Sequence, residues 1–446
     1  MSASSWPEDV PGAADPPLQE PAPEPPVRWS FPTRVAFRFA FVYLLLYNLA
    51  LIFELVEATF FISQKIQEGW ALLVQPVSEA IFGVGADVLP NGSGDTTFNY
   101  VQIFVMAVLA AIVTIAWSFL DRRRAAYPGL YTFLRVYIRF ALGVAMVSYG
   151  VYKVIKLQFG DLLLDRLMQP LGTMSPMGLL WTFMGASTAY NFFTGAGEML
   201  GGLLLMASRR TALLGALISA AIMANVAALN FSYDVPVKLY SSHLLLMALF
   251  IAAPDLKRML NIFILNRPAP PAVLRPAFRR TSVKILAYLL RTAFVVAFTG
   301  YSLKVAYDTK AEWNRKPLAS APLFGIWNVD ELTVDGVVRP PLLTDTGRWR
   351  RVVVSSERLF SVHQMNDERV RYMMKDDPKQ HTLTLRRGAD GAPKGTLTYQ
   401  RPVPSTLLLR GTVDGHQIEA TLHRDDREQL LTTRGFHWIN EYPFNR

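Results

Sequence analysis

A carboxylate in the middle of an apolar segment is the residue whose type and position most strongly suggest chemistry. Glu198 lies within TAYNFFTGAGEMLGGLLLMASRR, which runs from Thr188 to Arg210. A charge at the centre of a bilayer costs on the order of 3 kcal/mol even on the mildest insertion scale. A partner must therefore compensate for it. We expect this partner to be Lys153, because its long side chain can reach one helical turn from a neighbouring apolar segment.

Four further polar residues lie at a similar depth in other apolar segments. An α-helix rises about 1.5 Å per residue, and counting from the charged residues at one end of each segment places all six groups about 16–24 Å above one boundary. Lipid-facing positions tolerate such groups poorly, so we predict one intramembrane polar cluster. The cluster could be a ligand or proton site, or it could only orient the helices. The four residues are Glu54, Asn225, His243 and Lys304.

Small residues around Glu198 predict close contact with another helix. Gly197 and Gly201 form a GxxxG step, and Gly202 follows directly. If the segment is an α-helix, several of its polar residues lie on one face together with small and apolar residues. The residues of this face are Asn191, Thr194, Glu198, Gly202 and Leu205.

The composition indicates a membrane protein and excludes several functions. Of 446 residues, 51% are hydrophobic and 18% are charged, whereas soluble domains carry about 25% charged residues. The net charge of +10 is spread over short basic clusters between apolar runs, which is typical of membrane topology and argues against nucleic-acid binding. Without cysteine, the chain cannot hold a disulfide or an iron–sulfur cluster. No metal site is predicted and no catalytic residue can be assigned.

Seven apolar runs are long enough, or nearly so, to cross a bilayer. Loops on one side carry about 17 basic residues and those on the other about 5, which places the N-terminus in the cytoplasm and the C-terminal region outside. The fourth run is long enough to begin as an interfacial piece around Ser175–Pro176. The runs are Val35–Ile62, Tyr100–Leu120, Val136–Ile155, Leu179–Ala207, Ala212–Phe231, Leu239–Ala253 and Ile285–Ala306.

The region after about Leu318 has the pattern of an antiparallel β-domain. Short runs such as HTLTLRR and STLLLRGTV alternate apolar and polar residues. Asp-Gly pairs, which favour tight hairpins, occur at Asp335–Gly336, Asp390–Gly391 and Asp414–Gly415. We predict a meander of about eight to ten strands, closed as a small barrel.

The predicted domain organisation combines these parts. It consists of a disordered Pro-rich tail (1–30), two N-terminal spans with an outer amphipathic loop (31–130), a four-helix core (131–262), a basic inner linker with the seventh span (263–309) and an extracytoplasmic β-domain (318–446).

The helical core resembles the DoxX/DoxD-like family of small bacterial membrane proteins. The resemblance is carried by RFALGVAMVSYGVYKVIKLQF, AGEMLGGLLLMASRRTALLGALISAAIM and NFSYDVPVKLYSSHLLLMALFIAAPDLKRML, between Leu134 and Leu260. It implies a four-helix bundle in a bacterial inner membrane, with Lys153, Glu198 and Gly201–Gly202 as signature positions. Some family members are linked to quinone-reactive or oxidoreductase complexes. The three additional spans and the outer domain depart from the family's pattern.

The β-domain resembles the lipocalin-type barrel. Gly325 and Trp327 form a G-x-W in the first strand, and Arg434 is expected in the last strand. The resemblance implies that the tryptophan closes the base of the barrel and packs under the arginine, a geometry that favours a cation–π contact.

These patterns leave three functions open. The first is an accessory or quinone-interacting subunit of a membrane oxidoreductase, with a quinone as possible cofactor and oxidoreductase subunits as possible partners within the bilayer. The second is a carrier of a lipid or small apolar ligand that uses the barrel. The third is a non-catalytic membrane scaffold.

Overall fold

The chain consists of a helical part and a β-barrel. The computed structural model describes residues 28–54, 60–88, 91–271, 280–314, 323–388 and 391–445. Most of the predicted tail 1–30 and the Asp390 side of one predicted hairpin therefore lie outside the described residues. Helices extend to Asn314, and the first strand begins at Gly325.

Four of the helices begin at a residue whose side chain caps the first turn. The hydroxyls of Ser30, Thr96, Ser175 and Ser187 each accept a hydrogen bond from a backbone N–H of the first turn. The helices of this part are α1 (Phe31–Tyr47), α2 (Leu51–Glu54), α3 (Phe60–Val77), α4 (Thr97–Leu120), α5 (Pro128–Val154), α6 (Leu164–Leu167), α7 (Pro176–Ala186), α8 (Thr188–Ala207), α9 (Ala212–Ser232), α10 (Lys238–Ala252), α11 (Leu256–Phe263) and α12 (Thr281–Asn314).

Within the described residues, five helical segments are long and apolar enough to cross a membrane: Thr97–Leu120, Pro128–Val154, Ala212–Ser232, Lys238–Phe263 and Thr281–Asn314.

Two of the predicted apolar runs are interrupted rather than continuous. The first run breaks after α1, where Asn48 donates its side-chain N–H back to the Leu44 carbonyl at 2.9 Å. The fourth run breaks at Ser187, between α7 and α8. There the Asn191 amide donates to the carbonyls of Met184, at 2.5 Å, and Ser187, at 3.0 Å. Buried side-chain amides thus add a second hydrogen bond to carbonyls that also accept a backbone N–H at each break.

A ring of four helices forms the centre of the helical part. α5 packs on α8, α8 on α9, α9 on α10, and α10 returns to α5. α1 and α4 pack against one another, α1 also contacts α5, and α12 lies against α5 and α8. Buried Leu142, Met146, Leu205 and Met247 belong to the apolar centre between these helices.

The C-terminal part is a closed, eight-stranded antiparallel barrel, as the alternating pattern predicted. Each strand from β3 onward pairs with the next, β1 pairs with both β3 and β9, and the two-residue β2 lies beside β1. The strands are β1 (Gly325–Val334), β2 (Val337–Val338), β3 (Trp349–Ser356), β4 (Leu359–Gln364), β5 (Arg369–Asp377), β6 (Thr382–Arg386), β7 (Pro393–Gln400), β8 (Thr406–Val413) and β9 (His416–Arg424).

Alternate residues of the strands fill the barrel interior with side chains. In the later strands the inward residues follow the two-residue period of β-structure. Together with Trp327 and Phe360 they form a single cluster of buried side chains. The inward residues of β6 to β9 include Leu383, Leu385, Leu397, Tyr399, Leu407, Leu409, Ile418, Ala420 and Leu422.

The arginine that packs on Trp327 is not the one expected. Trp327 is fully buried, and its indole N–H donates to the Leu323 carbonyl at 2.9 Å. The guanidinium of Arg401 lies 5.4 Å from the centre of its ring. Arg434 instead follows the short helix α13 (Leu430–Thr433), beyond the last strand, and lies 3.8 Å from the Phe444 ring. The prediction for Arg434 was wrong because the last strand ends at Arg424, earlier than the sequence pattern indicated.

Mutation can test whether Arg401, and not Arg434, stabilises the barrel through Trp327. Replacing Arg401 by alanine should lower the free energy of unfolding of the barrel by about 0.5–1 kcal/mol, the usual contribution of a cation–π contact. Replacing Arg434 by alanine should leave it unchanged. Thermal unfolding of the full chain, followed by near-ultraviolet circular dichroism, measures both. An effect of Arg434→Ala as large as that of Arg401→Ala would contradict the assignment.

Candidate ligand-binding site

Lys153 and Glu198 form a buried ion pair between α5 and α8. The ammonium of Lys153 donates to Oε1 of Glu198. Both side chains are buried, with 8% and 2% of their surface exposed. Among the described residues, Oε2 of Glu198 has no hydrogen-bond partner. The two charges compensate one another, and one carboxylate oxygen can still accept a hydrogen bond.

Glycines bring α5 and α8 close enough for this pair. Gly150 faces Gly195 and, two turns away, Gly143 faces Gly202. A Cβ on Gly150 would lie 2.6 Å from the carbonyl oxygen of Gly195, and a Cβ on Gly202 would lie 2.7 Å from that of Gly143. Any larger side chain would force the two backbones apart.

The predicted glycines of α8 contact two different helices. Gly202 faces α5, whereas Gly201 faces α9, where a Cβ would lie 2.8 Å from Oγ of Ser219. Gly197 also faces α9, and a Cβ there would meet Ile222 at 3.4 Å. Because α8 lies between two neighbours, its small residues are distributed over both faces.

A cavity of about 490 Å³ lies beside the ring of four helices. Its lining comes from the ends of α1 and α2, from α3, α4, α5 and α10, and from the loop before α4. Apolar side chains such as Ala145, Met106 and Leu244 form much of the wall. This volume lies in the range of small-molecule sites, about 300–1,000 Å³, which are usually apolar with a few polar groups.

Three phenols and one carboxylate supply polar groups to the cavity. Tyr47, Tyr149, Tyr240 and Glu54 all line it. The rings of Tyr149 and Tyr240 are 5.7 Å apart. The carboxylate of Glu54 accepts a hydrogen bond from the Ser63 hydroxyl at 3.0 Å. Glu54 was predicted from the sequence, whereas the tyrosines were not. Their only signal in the sequence is that each lies within an apolar run.

The cavity lies next to the buried ion pair. Tyr149 precedes Lys153 by about one turn on α5, and it lies within electrostatic range of Glu198. The carboxylate of Glu198 therefore lies near a phenol that borders the cavity.

His243 packs against Tyr47, one of the residues that line the cavity. Its Nδ1–H donates to the carbonyl of Leu239 at 2.7 Å, so Nε2 of the neutral ring accepts the Tyr43 hydroxyl at 2.6 Å. The imidazole stacks on Tyr47 with ring centres 4.0 Å apart. His243 thus orients a cavity-lining phenol and does not contact Lys153 or Glu198.

Two predicted members of the polar cluster lie outside it. Asn225 is exposed on the surface of α9. Lys304 is exposed on α12 and pairs with Asp308 at 2.6 Å, one turn further along the same helix. The depth of these residues matched that of the cluster, but their helices turn them away from it.

The structure reveals a second buried ionic cluster, which joins the helical part to the barrel. Asp165, in α6, has 2% of its surface exposed and contacts the outer wall of the barrel. Its backbone N–H donates to Oγ of Ser355 at 2.9 Å, and its carboxylate accepts from His363 at 3.1 Å. Arg371 and Arg369 also contact the carboxylate, at 2.7 Å and 3.2 Å. We name Asp165 with its four partners the Asp165 latch.

The pKa of Asp165 reflects these partners. Burial disfavours the charged carboxylate and would raise the pKa. The hydrogen bond from His363 and the charges of Arg371 and Arg369 outweigh burial and hold the pKa of Asp165 below its ordinary value. The latch therefore contains an ionised aspartate.

No group of three or more potential metal ligands occurs among His, Asp and Glu in the part of the chain that the structure describes. The arrangement defines a helical membrane-type protein with a partly open cavity between its helices and an attached β-barrel.

Over 141 residues, which are 32% of this chain, the sequence is 32% identical to the "Uncharacterized protein YwoB" of Bacillus subtilis (strain 168), and the match covers 86% of that protein. The chain therefore belongs to the same family as that protein. No family model and no solved structure matches it.

Proposed function

We propose that the helical part binds a membrane-soluble quinone in the cavity, as an accessory or quinone-interacting subunit of a membrane oxidoreductase system. The observation that carries this proposal is a cavity of about 490 Å³ with apolar walls and phenols at its border. A quinone combines a flat apolar ring with carbonyl oxygens that accept hydrogen bonds. Tyr47, Tyr149 and Tyr240 offer hydroxyl donors to such oxygens.

The proposal includes a topology of seven spans in a bacterial inner membrane. α1 with α2, and α8, would cross the bilayer in addition to the five long apolar segments. The N-terminus would lie in the cytoplasm, because the basic residues concentrate at that end of the helices. The barrel would lie outside, and the cavity would open in the outer half of the bilayer.

The resemblance of the core to the DoxX/DoxD-like family supports the proposal. α5, α8, α9 and α10 pack in a ring, and this arrangement supports the four-helix bundle that the resemblance implies. Lys153 and Glu198 meet inside it, one turn from a cavity-lining phenol. In this proposal, the pair sets the local charge beside Tyr149 when a quinone carbonyl is bound.

The alternative of ligand carriage in the barrel receives less support. The inward side chains of the strands form one cluster of buried residues that fills the interior. A ligand would have to displace side chains such as Leu383 and Leu409, which are fully buried. The cavity between the helices offers space without such a rearrangement.

Filling the cavity tests the proposal. The Ala145→Leu variant adds three carbon atoms to the cavity wall, and we expect it to reduce the amount of quinone that purifies with the chain at least tenfold. The control is Ala224→Leu on α9, whose side chain is exposed. Gentle purification from the native membrane, followed by extraction and mass spectrometry, measures the bound quinone per chain.

A variant that lacks one phenol hydroxyl tests the proposed hydrogen bond to the quinone separately. Tyr240→Phe removes one hydroxyl, which typically contributes about 1 kcal/mol, so a soluble quinone analogue should bind roughly fivefold more weakly. Equilibrium titration of the purified chain measures this change. A wild-type chain that carries no quinone and does not bind the analogue would refute the proposal.

A further inference from the structure

A cluster of arginines lies within the bundle at the end opposite the barrel. Arg139 is on α5, one residue before Phe140, and has 7% of its surface exposed. The rings of Phe140 and Phe294 are 5.9 Å apart, which places α12 against this part of α5. Arg135 lies one turn before Arg139 on α5, and Arg291 lies one turn before Phe294 on α12. Arg209 lies just after α8, which packs on α5, and the charges of all three arginines act on the Arg139 guanidinium. Four cations, from α5, from α12 and from the turn after α8, thus share one small region.

Arg139 is buried without a compensating group among the described residues. Its Nε has no hydrogen-bond partner there, and its guanidinium lies 5.4 Å from the Phe140 ring. A buried cation normally requires a paired charge, because the lost hydration is not otherwise replaced. A partner from outside the described chain would meet this requirement.

Nearby carboxylates do not supply the missing charge. In the described segments that form this end of the bundle, 28–45, 115–140, 203–217, 248–271 and 280–296, the acidic residues are Asp121 and Asp255. Asp255 already pairs with Arg135 at 3.3 Å and with Arg258 at 2.5 Å. Asp121 accepts the hydroxyl of Tyr127 at 3.0 Å. Among the described residues at this end of the bundle, positive charges around Arg139 therefore outnumber negative ones.

We infer that Arg139, Arg209 and Arg291 form a binding site for a phosphate group, of the kind carried by an anionic phospholipid headgroup. Guanidinium groups match phosphate geometry with paired N–H donors. Basic pockets between membrane helices on the cytoplasmic side bind anionic headgroups. Arg291 also stacks over Tyr288 at 4.8 Å, which orients its guanidinium. This site is separate from the cavity and does not depend on the proposed quinone binding.

Two arginine variants and a matched control test the site. Arg139→Gln and Arg291→Gln each remove one charge, whereas Arg123→Gln removes an exposed charge from the loop after α4. After purification in mild detergent, we expect about one anionic phospholipid per wild-type or Arg123→Gln chain. The amount should fall at least fivefold in Arg139→Gln and should also fall in Arg291→Gln. Mass spectrometry of extracted lipids measures this ratio.

Adding lipids or inorganic phosphate to the delipidated protein distinguishes a lipid headgroup from free phosphate as the ligand. Thermal unfolding is measured with phosphatidylglycerol, with phosphatidylcholine and with inorganic phosphate at matched ionic strength. Stabilisation by phosphatidylglycerol alone identifies a lipid headgroup, and equal stabilisation by inorganic phosphate identifies free phosphate. Either response must disappear in Arg291→Gln, which remains informative if Arg139→Gln does not fold. Equal lipid content and equal responses in wild type and both variants would overturn the inference.

Discussion

Replacing Asp165 by asparagine should detach the barrel from the helical part. The change leaves Arg369, Arg371 and His363 facing one another without the carboxylate that they share. Removing one partner of a buried ion pair costs roughly 3–5 kcal/mol, and we expect about 3 kcal/mol here because Arg371 is half exposed. Hydrogen exchange of residues 160–170 in the full chain should therefore accelerate by roughly a hundredfold.

The matched control lies in the same loop. Asp161 pairs with Lys156 and Lys310, but its side chain is 56% exposed. Asp161→Asn should change the exchange rate little, because exposed pairs contribute about 0–1 kcal/mol. If both variants accelerate exchange equally, the latch is not what holds the two parts together.

The latch also predicts a dependence on pH. The pKa of Asp165 is lowered in the folded chain, so the latch contributes fully above the unfolded value of about 3.9. Its contribution is lost as the pH falls through the lower, folded pKa. Exchange of this loop in the wild type should therefore remain slow at pH 5 and accelerate only under strongly acidic conditions, whereas Asp165→Asn should not show this acid dependence.

Breaking the pair of Lys153 and Glu198 is expected to have the largest effect in the helical part. The Glu198→Leu variant leaves the Lys153 ammonium buried among apolar side chains without its counter-charge. The expected loss is about 3–5 kcal/mol of stability, or failure to accumulate as folded protein. Yield of monodisperse protein and thermal unfolding in detergent measure this effect.

A double variant separates structure from function. Lys153→Met with Glu198→Leu replaces both charges by apolar groups of similar volume, which is often neutral for stability. We expect this chain to fold nearly as well as the wild type. If it folds and still binds the quinone analogue with unchanged affinity, the pair only orients helices. If it folds and loses binding, the pair belongs to the site.

An exposed pair provides the comparison. Asp308→Leu breaks the contact with Lys304, whose side chain is 74% exposed. Its effect should stay below about 1 kcal/mol, because solvent can hydrate the remaining ammonium. A loss as large as that of Glu198→Leu would contradict the distinction between buried and exposed pairs.

The sequence by itself determined the architecture in its coarse form. Apolar runs, the unequal distribution of basic residues and the two-residue alternation after about Leu318 are local patterns, and they predicted apolar helices followed by a small barrel. The pairing of Lys153 with Glu198 could also be inferred, because a buried charge needs a partner and few were present at that depth.

Only the tertiary structure decided which polar residues face one another. Counting residues gives depth along a helix, but each residue turns the side chain by about 100°, so the direction depends on how the helices pack. Asn225 and Lys304 had the right depth and face outward, whereas Asn230, five residues after Asn225, is buried. The breaks at Asn48 and Ser187 likewise depend on side chains that bond to particular carbonyls.

Local sequence patterns did not predict the contacts between residues that are far apart in the chain. Asp165 and His363 are separated by 198 residues, and neither is unusual in its own stretch of sequence. The same holds for Arg401, which packs on Trp327 where Arg434 was expected. Each contact depends on where strands end and how the barrel is placed against the helices. Those positions follow from the packing of the whole chain, because it sets which surfaces meet after the local elements have formed.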